Sequence, residues 1–349
     1  MKKLFLLAFG TILSLALCPT SSLAWDYEGH RLVNQLALTS LPTNFPSFLM
    51  IPAARERIAF LAGEPDRWRN TTEVALKHCN GPDHYIDMEE LDEPYGIDVH
   101  SLTPFRYDFT AQLALARAAH PDKFPAIDAA KNADHSRQLV GFLPWAIIEN
   151  FSKLKSEFSY LKTFQEFGGT PEEIANAQEN IIYTMGVMGH YVGDGSQPLH
   201  ATKHHHGWVG ENPHGYSTES GIHSLIDGGY IRKVGGIKLS NVQSFVHPAQ
   251  LVSISYPKEK AGDTFGIILE YILEQEKLVE PLYQMEKAGK FSGEGDVGLQ
   301  GKEFITGQLV KGGQMLGNLW YTAWQQAPTD TFLRSELTKR KLASSEKGK

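Results

Sequence analysis

The stretch "MGHYVGDGSQPLH", residues 188–200, sets the terms on which the rest of the chain is read. His190 and Asp194 lie four apart, which on a helix puts both side chains on one face. Ile181, Met185, Met188 and Val192 form an apolar stripe on roughly the opposite side, so such a helix buries one face and presents an imidazole and a carboxylate from the other. Gly186 and Gly193 fall near the polar pair, and their small size is expected to leave room for an ion. Pro198 should end the helix, with His200 projecting from the turn beyond it.

"GIHSLIDGG", residues 221–229, repeats the device: His223 and Asp227 are four apart, with Gly228 and Gly229 expected to stop the helix. "LAGEPDRWRN" places Asp66 beside Arg67 and Arg69, and "GPDHYIDME" offers His84 with Asp87 three residues on. Imidazole nitrogen and carboxylate oxygen are the ligands zinc takes in hydrolytic sites, where water keeps an open position. Taken singly, each has a plainer reading as a hydrogen-bonded core histidine or a salt-bridged turn. His204, His205 and His206 have only adjacency to support a metal role and read as a loop.

Around these motifs the chain reads as mainly α. Residues 134–164 and 263–288 carry apolar residues at three and four spacing, as Phe265, Ile268, Leu269, Ile272 and Leu273 illustrate. Period-two alternation is scarce, and short strands are allowed only between Tyr230 and Tyr256. "FSGEGDVGLQG", residues 291–301, reads as a glycine-rich loop, and the Lys- and Ser-rich tail, residues 334–349, as frayed. With neither a repeat nor a sharp composition shift, residues 25–333 are expected to form one helical domain. A net charge of −7 argues against a broad basic face that coats nucleic acid. It leaves open an enzyme whose metal ions supply positive charge locally.

The first 24 residues have the plan of a secretory signal: Lys2 and Lys3, an apolar run from Leu4 to about Cys18, then Ser22 and Ala24 as small residues before a cut. No segment reaches the roughly 20 apolar residues of a membrane span, so an exported soluble protein, periplasmic or secreted and beginning at Trp25, is expected. Cleavage would leave Cys79 as the only cysteine, which rules out an internal disulfide in the mature chain.

Trp25 and His30, Asp66, His84, His190 with Asp194 and His200, and His223 with Asp227, in that order, together resemble the zinc-dependent single-strand nucleases of the mung bean nuclease type. That family shares its helical fold with the bacterial zinc phospholipases C. The resemblance implies three zinc ions per chain. Trp25 would chelate one through its free α-amino group and carbonyl oxygen, joined by His30 and with Asp194 bridging to the next. Asp66, His84 and His190 would hold that neighbour, and His200, His223 and Asp227 the third. An α-amine has an ordinary pKa near 8, so a neighbouring zinc should strip its proton readily.

The resemblance also implies metal-assisted phosphodiester hydrolysis, with in-line attack of water on phosphorus. Asp66 would orient that water and take its proton, and Arg69 would donate to the phosphoryl oxygens. Tyr85 would stack on a base, Asp87 would accept hydrogen bonds from it, and Asn212, in Gly210-Glu211-Asn212, stands for an asparagine of the nucleases' substrate site. Single-stranded nucleic acid or nucleotides are thus the expected substrate, with phospholipid head groups or noncatalytic zinc binding as alternatives; no protein partner is implied. The spacing from Trp25 to His30 and from His200 to His223, and Asp227 in place of glutamate, favour the nuclease branch. Between His84 and His190 this chain carries more residues than the nucleases do, which could wall off or reshape the cleft.

Overall fold

Leucine, isoleucine and aromatic side chains at helical spacing do most of the building. The computed structural model describes residues 25–255 and 263–347, so the expected signal segment lies outside the described residues. Its longer helices are α1 (Tyr27–Ser40), α2 (Pro52–Leu61), α3 (Glu64–Arg69), α4 (Val74–Asn80), α5 (Met88–Asp92), α6 (Arg106–Ala119), α7 (Leu143–Phe167) and α8 (Pro171–Asp194). After a run of short helical turns come α9 (Thr264–Glu276), α10 (Val279–Lys287), α11 (Gly301–Gln326) and α12 (Thr331–Lys347). The expectation of a mainly α chain is met.

Helix α8 is the axis. It starts in a capping box, where the Thr170 side chain accepts from the Glu173 backbone and Glu173 reaches back to the Thr170 N–H. Its last turns are wholly buried, packed against α7, α2, α1 and α11. Contact with α1 is close because Gly189 lacks a side chain: a Cβ there would lie 1.6 Å from Asn34 Oδ1. Asn34 in turn donates to the carbonyls of Ile58 and Gly186, tying α1, α2 and α8 together at one buried point.

Between α7 and α8, the half-buried Glu157 accepts a 2.7 Å hydrogen bond from Thr184, and burial raises its pKa to about 7. A carboxyl raised in this way favours folding below its unfolded value near 4.3 and opposes it as pH climbs through about 7. Glu157→Gln keeps the hydrogen bond and removes the charge. Thermal unfolding should therefore show a gain of about 1–2 kcal/mol for the variant at pH 8.5 that shrinks toward pH 5. Equal gains at both values would contradict this account.

Four local expectations are corrected. No strand occurs among the described residues; part of the segment where short strands were allowed, up to Ser255, forms helical turns, and Tyr256 lies outside them. Gly228 and Gly229 do not stop a helix, because residues Leu225–Gly229 form a π-type turn that runs on into Tyr230–Lys233. Within the glycine-rich stretch, Gly295–Leu299 is helical. Residues 334–347 of the tail belong to helix α12: Leu337 is buried, the Arg334 guanidinium lies 4.8 Å from the centre of the Phe167 ring, and Arg340 pairs with Glu173.

Candidate metal centre

Helix α8 delivers His190 and Asp194 from its last two turns, both fully buried. Helix α1 crosses there and lays the His30 ring flat on that of His190, with centroids 3.8 Å apart and planes inclined by 19°. That approach is what Gly193 permits, since a Cβ on it would meet His30 Nδ1 at 2.9 Å. The room left by Gly193 and Gly186 is thus taken by His30 and by Leu61, not by an ion. His84 arrives from the turn Pro82–His84, and Asp66 from α3.

These side chains converge on Asp194. Its two carboxylate oxygens lie 3.4 Å from His30 Nε2, 3.1 Å from His84 Nδ1 and 3.3 Å from His190 Nε2. His190 Nε2 is 2.9 Å from His84 Nδ1 and 4.0 Å from Asp66 Oδ1. His190 Nδ1 donates to the Ala62 carbonyl at 2.6 Å, which fixes the tautomer and turns the Nε2 lone pair inward. Two groups result, one of His30, His190 and Asp194 and one of Asp66, His84 and His190, each with ligand atoms close enough to hold a metal ion.

A third such group joins His200, His223 and Asp227. His200 sits on the turn Pro198–His200 that follows the helix stop, as Pro198 leads one to expect. Its Nδ1 donates to the His84 carbonyl at 2.5 Å, leaving Nε2 to face His223 Nε2 at 3.0 Å. His223 Nε2 is also 3.1 Å from Asp227 Oδ2, while Gln197 donates to Asp227 Oδ1 at 2.7 Å. Gln197 is a supporting residue that the spacing did not announce; its place one residue before Pro198 was the available signal.

Trp25 is buried between the groups. Its indole N–H lies 2.9 Å from the Gly193 carbonyl and 3.1 Å from Ser196 Oγ, and the next residue's N–H donates to the Asp227 carbonyl. The start of α1 is thereby pinned beside both Asp194 and Asp227. Asp26 completes the anchor, capping Gly29 and pairing with Arg232.

Burial governs the electrostatics. It pushes the carboxyls of Asp194 and Asp227 well above the ordinary range, and lowers the imidazoles of His30, His84 and His223 well below theirs. His190 and His200 fall to about 3 for the same reason. The imidazoles therefore stay neutral, as metal ligation requires. Both His30 ring nitrogens, His84 Nε2, Asp194 Oδ1 and Asp227 Oδ2 are buried without a hydrogen-bond partner, an arrangement costly for a protein unless a cation is shared among them. The residues present fit divalent metal ions, and neutral imidazoles with carboxylates match the ligand set of zinc.

Arg69 Nε lies 2.8 Å from Asp66 Oδ1 in an ion pair, so the salt-bridged turn and the site residue are the same pair. Tyr85 is half-buried with its hydroxyl 3.3 Å from the Leu139 carbonyl. Asp87 is 8% exposed and sits 3.5 Å from His205 Nδ1. Asn212 is used locally, exchanging two 2.8 Å hydrogen bonds with the Tyr216 backbone, and no bond from it reaches the His and Asp groups. Part of the segment between His84 and His190 packs beside His84: the Asp87 N–H donates to the Val140 carbonyl and the Leu143 N–H to the Tyr85 carbonyl. Residues 203–206 are a tight turn rather than an open loop, with the His205 and His206 rings near His223.

Comparison of the chain with protein-family models, with curated proteins and with solved structures finds no match. No described helix is long and apolar enough to cross a membrane.

Proposed function

We propose that the chain is a zinc-dependent phosphodiesterase, exported and cut before Trp25, that hydrolyses single-stranded nucleic acid to 5′-phosphate products. The observation that carries this reading is the gathering of three neighbouring His and Asp groups, two sharing His190 and the third on Asp227, with the His190 and His200 lone pairs turned inward by carbonyl-bound partner nitrogens. Three zinc ions held there, the third by His200, His223 and Asp227, would supply Lewis acidity and lower the pKa of water toward about 7.

The protein's own groups divide the remaining work. Asp66, held by Arg69 and 4.0 Å from His190, orients the attacking water and accepts its proton. Arg69, one-fifth exposed, donates to the phosphoryl oxygens as negative charge develops.

Phospholipid head-group hydrolysis is the second reading. It is favoured by the commitment of Asp87 to His205 and of the Tyr85 hydroxyl to Leu139, which ties down the pair assigned to a base. Release of products from single-stranded DNA, single-stranded RNA and phosphatidylcholine, assayed side by side, separates the two. Cleavage of nucleic acid is expected; activity on the lipid alone would overturn the preference.

A further inference from the structure

We propose that His205 and His206 form a transit site that captures zinc at the surface and passes it to His200, His223 and Asp227. The proposal rests on the metal reading above and adds a route into it. Four imidazoles form a ladder of falling exposure: His206 is exposed, His205 32% exposed, His223 8% and His200 2%. Along it, ring centroids are 4.6 Å apart from His206 to His205, 6.1 Å from His205 to His223 and 4.9 Å from His223 to His200, and His206 also lies 5.1 Å from His223.

His205 carries the mark of an oriented ligand. Its Nδ1 lies 2.9 Å from the Thr202 carbonyl and 3.5 Å from Asp87, as His190 and His200 are held on the carbonyls of Ala62 and His84. A ring anchored at Nδ1 offers Nε2 outward. His204 is excluded from the ladder: it stacks on Trp208 with planes 7° apart, and its Nδ1 accepts from the Val209 N–H. Two imidazoles without a carboxylate at the outward nitrogens bind an ion weakly. Weak binding is what a transit site needs, since the three-ligand group beyond it must win the ion.

An ion held on His205 and His206 meets His223 at an effective concentration far above that of dilute zinc in solution. The test is the time course of zinc uptake by chelator-stripped protein, followed with a fluorescent zinc indicator, for the parent, His206→Gln and the double variant His205→Gln/His206→Gln. Final zinc content should equal that of the parent, with uptake of the last ion slowed by about tenfold or more in the double variant. His206→Gln, at an exposed position, should fold normally and show part of the delay. Uptake at the parental rate would overturn the proposal, and so would a final content one ion short, which would make these residues permanent ligands. A parent that takes up no zinc would instead overturn the metal reading itself.

Discussion

Asp66→Asn is expected to lower turnover by about 10²–10⁴-fold while leaving most of the zinc in place. The substitution keeps the shape of the side chain and an oxygen for Arg69 Nε, which lies 2.8 Å away in the parent. It removes the only property that proton acceptance needs, the carboxylate's basicity. His84 and His190 remain to hold the neighbouring ion, and the other groups are untouched. If Asp66 served only as the salt-bridge partner of a turn, its basicity would play no part in the reaction and the variant would turn over like the parent. Turnover at saturating zinc, measured alongside metal content, distinguishes the two; an unchanged rate defeats the assignment.

The second large effect is an inversion of stability. Asp194 is fully buried, faces four histidines, His30, His84, His190 and His200, and is pushed far above its ordinary pKa by desolvation, with Asp66 adding to the rise. A carboxyl with a raised folded pKa stabilises the fold below its unfolded value near 3.9, and that contribution is lost as pH rises. At neutral pH without metal, Asp194 is therefore a liability of several kcal/mol unless it takes up a proton. Bound metal reverses the sign by sharing its charge with the carboxylate. Asp194→Asn should therefore be less stable than the parent in excess zinc and more stable than the parent in excess chelator, the latter by about 1–4 kcal/mol. Unfolding by denaturant in both conditions reads this directly. A variant that is less stable in both would show that Asp194 is needed for packing rather than for a cation.

The parts legible in the sequence were those fixed by local geometry. His190 with Asp194, and His223 with Asp227, share faces because four residues make about one helical turn, and His200 lies on the turn Pro198–His200 just beyond α8, which closes at Asp194 with Gly195 as its cap. Bringing Asp66, His84 and His30 to the same point depends on helix crossings, and only the resemblance of the whole ordered set pointed there. The misreadings have a common cause. Gly228 and Gly229 look like a stop, yet a π-type turn is stabilised by its surroundings: Asp26 sits where a Cβ on Gly228 would be, at 1.9 Å. The tail from Arg334 has little apolar periodicity, and it is ordered by Leu337 and by arginines that find Phe167 and Glu173.

On the proposed reading, processing before Trp25 creates a metal ligand close to both Asp194 and Asp227. The most direct measurement is the N-terminal residue of the exported protein, determined together with its zinc content. The account predicts a chain that begins at Trp25 and carries three zinc ions. A chain that begins elsewhere, with all three ions bound and hydrolysis undiminished, would contradict it.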